Sequence, residues 1–128
     1  MSTYDPNEAP DPQEWLALDE QLRIDLAREF HRAAGIELPN VTAHAAFHAI
    51  VENQLAMQHP PVVRSMEHLR KEGLSRHDSL HAIGSVLARH LHDLIISASL
   101  EAPSTAQARY DAAVERLSAA GWRAQVEE

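Results

Sequence analysis

The sequence predicts an all-α protein, a four- to five-helix bundle that follows a disordered N-terminal arm. Apolar residues recur at helical spacing in five stretches, each bounded by capping residues, glycine or proline. No turn signal such as Asn-Gly stands between alternating apolar runs, so no β-hairpin is expected. With 128 residues, the chain is expected to form a single helical domain over residues 12–122, followed by a flexible tail at 123–128.

The first predicted helix follows an arm that offers little for burial. Residues 1–11 alternate proline with Asp and Asn, a composition typical of disorder. Asp11 and Pro12 then form a helix start, with Asp11 as N-cap and Pro12 at the first helical position. Apolar residues continue at helical spacing until Gly35, which is expected to end a helix over about 12–34.

Four more helices are expected, and each has a start or stop signal. The pair Pro60-Pro61 ends one helix and begins the next, because proline lacks the amide donor that a helix interior needs. Ser75-Arg76-His77-Asp78 is a capping box, while Gly73 and Gly121 are expected to end helices. The four expected helices cover residues 41–58, 60–73, 75–102 and 104–121.

Composition excludes several functional classes. The chain has no Cys, which rules out disulfides, thiolate metal sites, iron–sulfur clusters and a Cys nucleophile. No run of about eighteen apolar residues is present, so no membrane span is expected. The formal charge of −8 argues against nucleic-acid binding, which needs a basic face. No secretory signal pattern begins the sequence, so a cytoplasmic location is expected.

Histidine is the unusual component of the composition. The chain has nine His beside eleven Lys and Arg, and full protonation of the imidazoles would move the formal charge from −8 to +1. Either these residues titrate together as a pH switch, or some of them are held in a site. In the switch alternative, buried neutral imidazoles would make the fold less stable below about pH 6.

Four histidines form two pairs at helical spacing. His44 lies at the centre of the apolar stripe of the second predicted helix, with His48 one turn further and Glu52 at the edge of the same face. His77 and His81 border the apolar stripe of the fourth helix. Two imidazoles at positions i and i+4 share one helix face, so they can bind the same cation.

This pattern predicts a small metalloprotein. Its expected ligands are His44, His48, His77 and His81. Glu52 is expected to be an extra ligand or to accept a hydrogen bond from one of the ligands. Nitrogen-rich ligation suits a divalent transition metal, namely Zn, Fe, Cu, Ni or Co, and disfavours Ca and Mg. Oxidoreductase or hydrolase chemistry is left open. The alternative is a metal-free helical interaction module or homodimer with a buried His/Glu polar network.

The remaining histidines suggest ordinary roles. They are expected near helix ends, where a cation complements the helix dipole, or on solvent-facing sides. These five residues are His31, His59, His68, His90 and His92.

The stretch from about 44 to 94 resembles the bacterial family known as domain of unknown function 1841. The features that match are the H-x-x-x-H of His44 and His48, the following run 51–56 (VENQLA), Pro60-Pro61, and the second motif, His77 to His81. The similarity covers about two-fifths of the chain. It implies a small bacterial cytoplasmic protein, adds weight to the four histidines and implies no activity.

Asp78 stands where some members of that family have Glu, giving H-D-x-x-H instead of H-E-x-x-H. A zincin-like hydrolase would use this acid as the general base on metal-bound water, and the shorter Asp side chain weakens that interpretation. The alternative role for Asp78 is the acid of a helix cap. A hemerythrin-like site of His and carboxylate ligands also remains open.

Overall fold

A computed structural model describes residues 1–35, 40–97 and 101–127. Within these ranges the chain is all-helical, which confirms the predicted all-α class, while the bundle of four to five helices stays a prediction. The seven helices are α1 (Pro12–Ala17), α2 (Glu20–Ala33), α3 (Val41–Ala56), α4 (Pro60–Lys71), α5 (Arg76–Ser97), α6 (Pro103–Glu115) and α7 (Ala119–Glu127).

The chain groups into two compact units. Unit 1 comprises Met1–His59 and unit 2 comprises Pro60–Glu128. In unit 1, α3 packs against α1 and α2, whereas in unit 2 the helices α4, α5 and α6 pack against one another. The contacts divide the chain after His59. The expectation of a single helical domain over residues 12–122 stays a prediction.

Local signals set most helix ends as the sequence predicts. The Asp11 carboxylate accepts a hydrogen bond from the Glu14 amide at 3.0 Å, and Pro12 is the first residue of α1. The Ser75 hydroxyl accepts from the Asp78 amide at 3.0 Å at the start of α5. Gly73 follows α4 with a φ of +100°, a left-handed conformation that only glycine adopts without strain.

The predicted first helix is two helices, which corrects the expectation of one helix over 12–34. Leu18 ends α1 in an extended conformation with a ψ of 147°. The Arg23 guanidinium donates to the carbonyl oxygens of Leu16 and Leu18, both at 2.8 Å, and satisfies carbonyls that a continuing helix would use. Asp19, a residue type favoured at helix starts, precedes α2.

The N-terminal arm also differs from expectation, since part of it is buried. Tyr4 is only 6% exposed, and it belongs to the core cluster of unit 1 with Trp15, Leu26 and Ala27. Its ring lies 5.5 Å from the Trp15 ring between centroids. The expectation that the arm buries almost nothing is therefore wrong, because one aromatic ring gains enough apolar contact to fix the chain around it.

The C-terminal part of unit 2 folds further than the sequence predicts. Gly121 lies inside α7 and does not end a helix, and α7 covers most of the expected tail at 123–128. The Ser118 hydroxyl accepts from the Gly121 amide at 3.1 Å, as an N-cap side chain does. The Glu72 carboxylate accepts from the Ala119 amide at 2.8 Å, which places a negative charge at the α7 N-terminus.

Candidate metal centre

Three imidazoles converge in unit 1. His44 and His48 lie one turn apart on α3, and His31 lies in the last turn of α2, which packs against α3. The distances between ring centroids are 4.7 Å for His31–His44, 4.9 Å for His31–His48 and 5.0 Å for His44–His48. The three rings thus form a nearly equilateral triangle, and one nitrogen of each lies within 4.8 Å of the others.

His31 is the member of this cluster that sequence reasoning missed. Its expected place at a helix end is correct, but the side chain is fully buried and not directed to solvent. Ala27, one turn earlier, shares the same buried face. The sequence offers no direct signal for His31, because the burial of this face depends on the packing of α2 against α3.

The protonation of the His31 ring is fixed by its backbone neighbour. His31 Nδ1 lies 2.7 Å from the Ala27 carbonyl oxygen, which can only accept a hydrogen bond. Nδ1 therefore carries the proton, and in the neutral ring Nε2 carries the lone pair. Metal-binding histidines commonly donate their other N–H to a backbone carbonyl in this way, which orients the ring.

A second hydrogen-bonded chain orients His48. The Tyr4 hydroxyl donates to Glu52 Oε2, and the Tyr4 oxygen lies 3.4 Å from His48 Nδ1. Because the phenol proton points to the carboxylate, the phenol oxygen is the acceptor for a proton on His48 Nδ1. His48 Nε2 then carries the lone pair. The carboxylate acts on the imidazole through an interposed phenol, in the manner of a carboxylate behind a metal-bound histidine.

Glu52, the predicted carboxylate of the site, is 1% exposed. A carboxylate is costly to bury unless its oxygens accept hydrogen bonds or face a cation. Glu52 Oε2 accepts a hydrogen bond from the Tyr4 hydroxyl, whose oxygen also lies 3.4 Å from His48 Nδ1.

The spacing of the imidazoles fits a transition metal after a small contraction. Zn–N bonds of about 2.0–2.1 Å in tetrahedral geometry place neighbouring nitrogens about 3.3 Å apart. Since the nitrogens here lie within 4.8 Å of one another, each pair needs to close by no more than about 1.5 Å. Side-chain torsions alone can supply a movement of this size.

Charge in unit 1 favours a cation. Residues 1–59 contain ten Asp and Glu against three Arg, so this half of the chain holds −7 of the formal charge of −8. Residues 60–128 contain nine acidic and eight basic side chains and are close to neutral. A surplus of negative charge around three neutral imidazoles lowers the electrostatic cost of a bound divalent ion.

The second predicted pair lies in unit 2. His77 and His81 are neighbours on α5, with ring centroids 4.2 Å apart, as their i, i+4 spacing predicts. Asp78 is exposed, and its amide donates to the Ser75 cap in the first turn of α5. The structure thus brings His44 together with His48, and His77 together with His81. The binding of one ion by both pairs stays a prediction.

The other histidines differ in how far their side chains are exposed. His68 and His92 have side chains 56% and 72% exposed, which confirms their expected solvent-facing positions. His90 is a correction, because it is half-buried and packs beside Tyr110 at 5.4 Å between ring centroids. Helical spacing places His90 outside the main apolar stripe of its helix, but α6 packs against α5 in unit 2 and covers part of that side.

Comparison with known proteins gives no match. No family model, curated protein or solved structure is similar to this chain. The resemblance of residues 44–94 to domain of unknown function 1841 therefore stays a prediction. None of the described helices is both long enough and apolar enough to cross a bilayer.

Proposed function

We propose that the protein binds a divalent transition metal and that His31, His44 and His48 of unit 1 are ligands. The observation that supports this most strongly is the triangle of three imidazoles with edges of 4.7–5.0 Å, two of whose members are buried. Ligand sets of neutral imidazoles suit Zn, Fe, Cu, Ni and Co. The metalloprotein is further proposed to be cytoplasmic.

The hydrogen bonds behind the ligands support the same proposal. His31 Nδ1 lies 2.7 Å from the Ala27 carbonyl oxygen, and His48 Nδ1 lies 3.4 Å from the Tyr4 hydroxyl oxygen. Donation from Nδ1 in both contacts corresponds to the tautomer whose Nε2 can bind a cation. Three protein nitrogens leave at least one coordination position for another ligand. The sequence-based prediction adds His77 and His81 as ligands, with Glu52 as an extra ligand or as a hydrogen-bond acceptor of one.

Direct metal binding is the decisive test. Protein made without an affinity tag is dialysed against EDTA, freed of chelator and titrated with Zn²⁺, Ni²⁺ and Co²⁺ by calorimetry. We expect about one ion per chain, and visible absorption of the Co²⁺ form reports its coordination number. A protein that takes up less than a tenth of an equivalent of each metal contradicts the proposal.

Substitutions locate the ion. His44→Gln is the first variant, because His44 is half-buried and its loss disturbs packing less than the loss of a fully buried ring. We expect its metal affinity to fall at least tenfold, whereas His92→Gln, at an exposed histidine, is the matched control and leaves the affinity unchanged. Circular dichroism confirms that both variants are folded. Unchanged binding in His44→Gln and in His48→Gln rejects this ligand set.

The second histidine pair is tested separately. If His77 or His81 supplies the remaining ligand, His81→Gln or His77→Gln weakens binding and alters the Co²⁺ spectrum. If neither variant changes the affinity, the ion is held by unit 1 alone. The proposal for His31, His44 and His48 stands in either case, since it depends only on residues 1–59.

The Tyr4–Glu52–His48 chain also favours a second candidate, a metal-free polar network inside a helical interaction module or homodimer. Such a network satisfies buried polar groups by hydrogen bonds alone. It predicts the same thermal stability and the same sedimentation mass with and without chelator. Stabilisation by added Zn²⁺ separates the two functions in favour of the metal.

A further inference from the structure

Unit 2 contains a cleft that the proposed metal centre does not use. It has a volume of about 380 Å³ and is lined by side chains of α5, α6 and α7 and of the segment that follows α6. Ligand sites for small molecules commonly have volumes of about 300–1,000 Å³. The cleft is therefore large enough for a small organic molecule.

Two helix faces build this cleft. From α5 it receives Val86, Arg89, His90 and Asp93, which recur at spacings of three and four residues along one face. The α6 side includes Arg109, Tyr110 and Ala113 at the same kind of spacing, and Arg116 and Leu117 follow directly after the helix.

Arginine is concentrated in the lining. Three guanidinium groups, those of Arg89, Arg109 and Arg116, face the cleft together with a single carboxylate, that of Asp93. This local surplus of positive charge stands out in a chain whose formal charge is −8. Guanidinium groups bind phosphate and carboxylate oxygens through paired hydrogen bonds, so their convergence indicates an anion.

One of these arginines has acidic partners. Glu101 accepts from Arg109 at 2.6 Å, and Asp93 also acts on Arg109 electrostatically. Among the residues that the structure describes, Arg89 and Arg116 have no carboxylate partner. Two guanidinium groups are thus available for a ligand, while Glu101 holds Arg109 in place.

The rest of the lining fits an apolar body. Tyr110 is 2% exposed, and its ring lies 5.4 Å from the His90 ring between centroids. Val86, Ala113 and Leu117 contribute aliphatic surface. Rings and aliphatic side chains beside a charged end suit a ligand with a flat or apolar part attached to an anionic head.

We propose that this cleft of unit 2 binds a small organic phosphate, with Arg89 and Arg116 on the phosphate group and the apolar part against Val86, His90 and Leu117. A phosphomonoester carries up to two negative charges, which matches two guanidinium groups that lack acidic partners. The site is separate from the metal centre, because none of its lining residues is a proposed or predicted metal ligand.

Phenyl phosphate is the probe for this site. Full-length protein freed of metal by EDTA is titrated with phenyl phosphate, inorganic phosphate, benzoate and phenol, and amide shifts in two-dimensional NMR spectra report the position. We expect saturable binding of phenyl phosphate, with shifts concentrated in 85–93 and 109–117. Inorganic phosphate and benzoate bind at least threefold more weakly, and phenol does not bind.

Variants distinguish a built site from general charge attraction. The double variant Arg89→Gln/Arg116→Gln removes both proposed phosphate contacts, and we expect at least a tenfold weaker affinity for phenyl phosphate. Arg70→Gln is the matched control, because Arg70 is an exposed arginine of the same unit outside the cleft, and it leaves the affinity unchanged. Circular dichroism establishes that the variants keep the helical content of the parent.

Three results overturn the proposal. The first is an absence of saturable phenyl phosphate binding up to 10 mM, a concentration at which a site worth about 3 kcal/mol would be more than half filled. The second is unchanged affinity in the double variant. The third is an equal loss of affinity in Arg70→Gln, which would show attraction to surface charge. None of these results bears on metal binding, since the probe experiments use metal-free protein.

Discussion

Removal of one hydroxyl group, in Tyr4→Phe, tests the buried hydrogen-bonded chain of unit 1. Tyr4 is 6% exposed and donates to Glu52, which is 1% exposed, so water cannot replace the lost donor easily. A hydrogen bond to a charged group contributes about 1.5–3 kcal/mol. The contact of the phenol oxygen with His48, at 3.4 Å, is long and adds less. We therefore expect a loss of about 2 kcal/mol in the free energy of unfolding.

Urea unfolding measures this loss. With a slope of about 1–3 kcal/mol per molar urea, a change of about 2 kcal/mol moves the midpoint by roughly 1 M. The phenylalanine ring keeps the contact with Trp15, so the variant isolates the hydroxyl group. Glu8→Gln, an exposed change in the same arm, is the matched control and shifts the midpoint little. A loss below about 0.5 kcal/mol in Tyr4→Phe would refute the stabilising role of the buried Tyr4 hydroxyl.

Three other expectations follow from local contacts. Asn53→Ala removes an acceptor shared by the buried Trp15 indole N–H, at 2.8 Å, and the Arg23 guanidinium, at 3.0 Å, and urea unfolding should show a loss of about 1–3 kcal/mol. Gly73→Ala should cost about 1–2 kcal/mol by the same assay, because alanine is strained at a φ of +100° while its Cβ would meet only an ordinary contact at 3.5 Å. The third concerns pH. Arg109 lowers the pKa of Glu101 by a direct hydrogen bond, so this pair stabilises the fold above the ordinary Glu pKa of about 4.3 and loses that effect as the pH falls through the lowered value. Melting curves should therefore show Glu101→Gln slightly below the parent at pH 7, with a difference that shrinks as the pH falls below the ordinary Glu pKa of about 4.3.

Much of the helical pattern could be predicted because its signals are local. Asp11 and Ser75 cap the helices that follow them, and Gly35 and Gly73 adopt the positive φ values that end helices. Each of these features depends on side chains and amides within a few residues of one another. A single sequence contains all the information that such features need.

The helix breaks were missed because they depend on contacts outside the apolar pattern. Leu18 fits the stripe of a continuous helix, and only the reach of the Arg23 side chain to the carbonyls before the break explains the change of direction. At the C-terminal end, Ser118 was a usable signal, since a serine three residues before Gly121 is a typical helix start. Gly121, which the sequence analysis takes as the end of a helix, lies in the first turn of α7.

Only part of the site could be predicted, because the rest depends on contacts between segments. The face of α3 that carries His44, His48 and Glu52 follows directly from helical spacing. His31 and Tyr4 come from other segments, and their burial depends on how α2 and the arm pack on α3. Helical spacing identifies which residues share a face, but it does not identify the side chains that a second element brings to that face.

The composition of the unit 1 core connects metal binding with stability. Among the residues of unit 1 that the structure describes, six form a buried apolar cluster and three of these are alanines, so this cluster buries a modest apolar area. Beside that cluster lie two buried imidazoles and a buried carboxylate, which contribute little apolar area and need polar partners. A bound ion would offset this deficit, since metal at 1,000 times its dissociation constant stabilises the folded state by about 4 kcal/mol. In an unfolded chain the three imidazoles are far apart, so the ion favours the state in which α2 and α3 are packed together. The histidines that would bind the metal are for this reason also a part of the core, and their two roles cannot be separated by simple truncation to alanine.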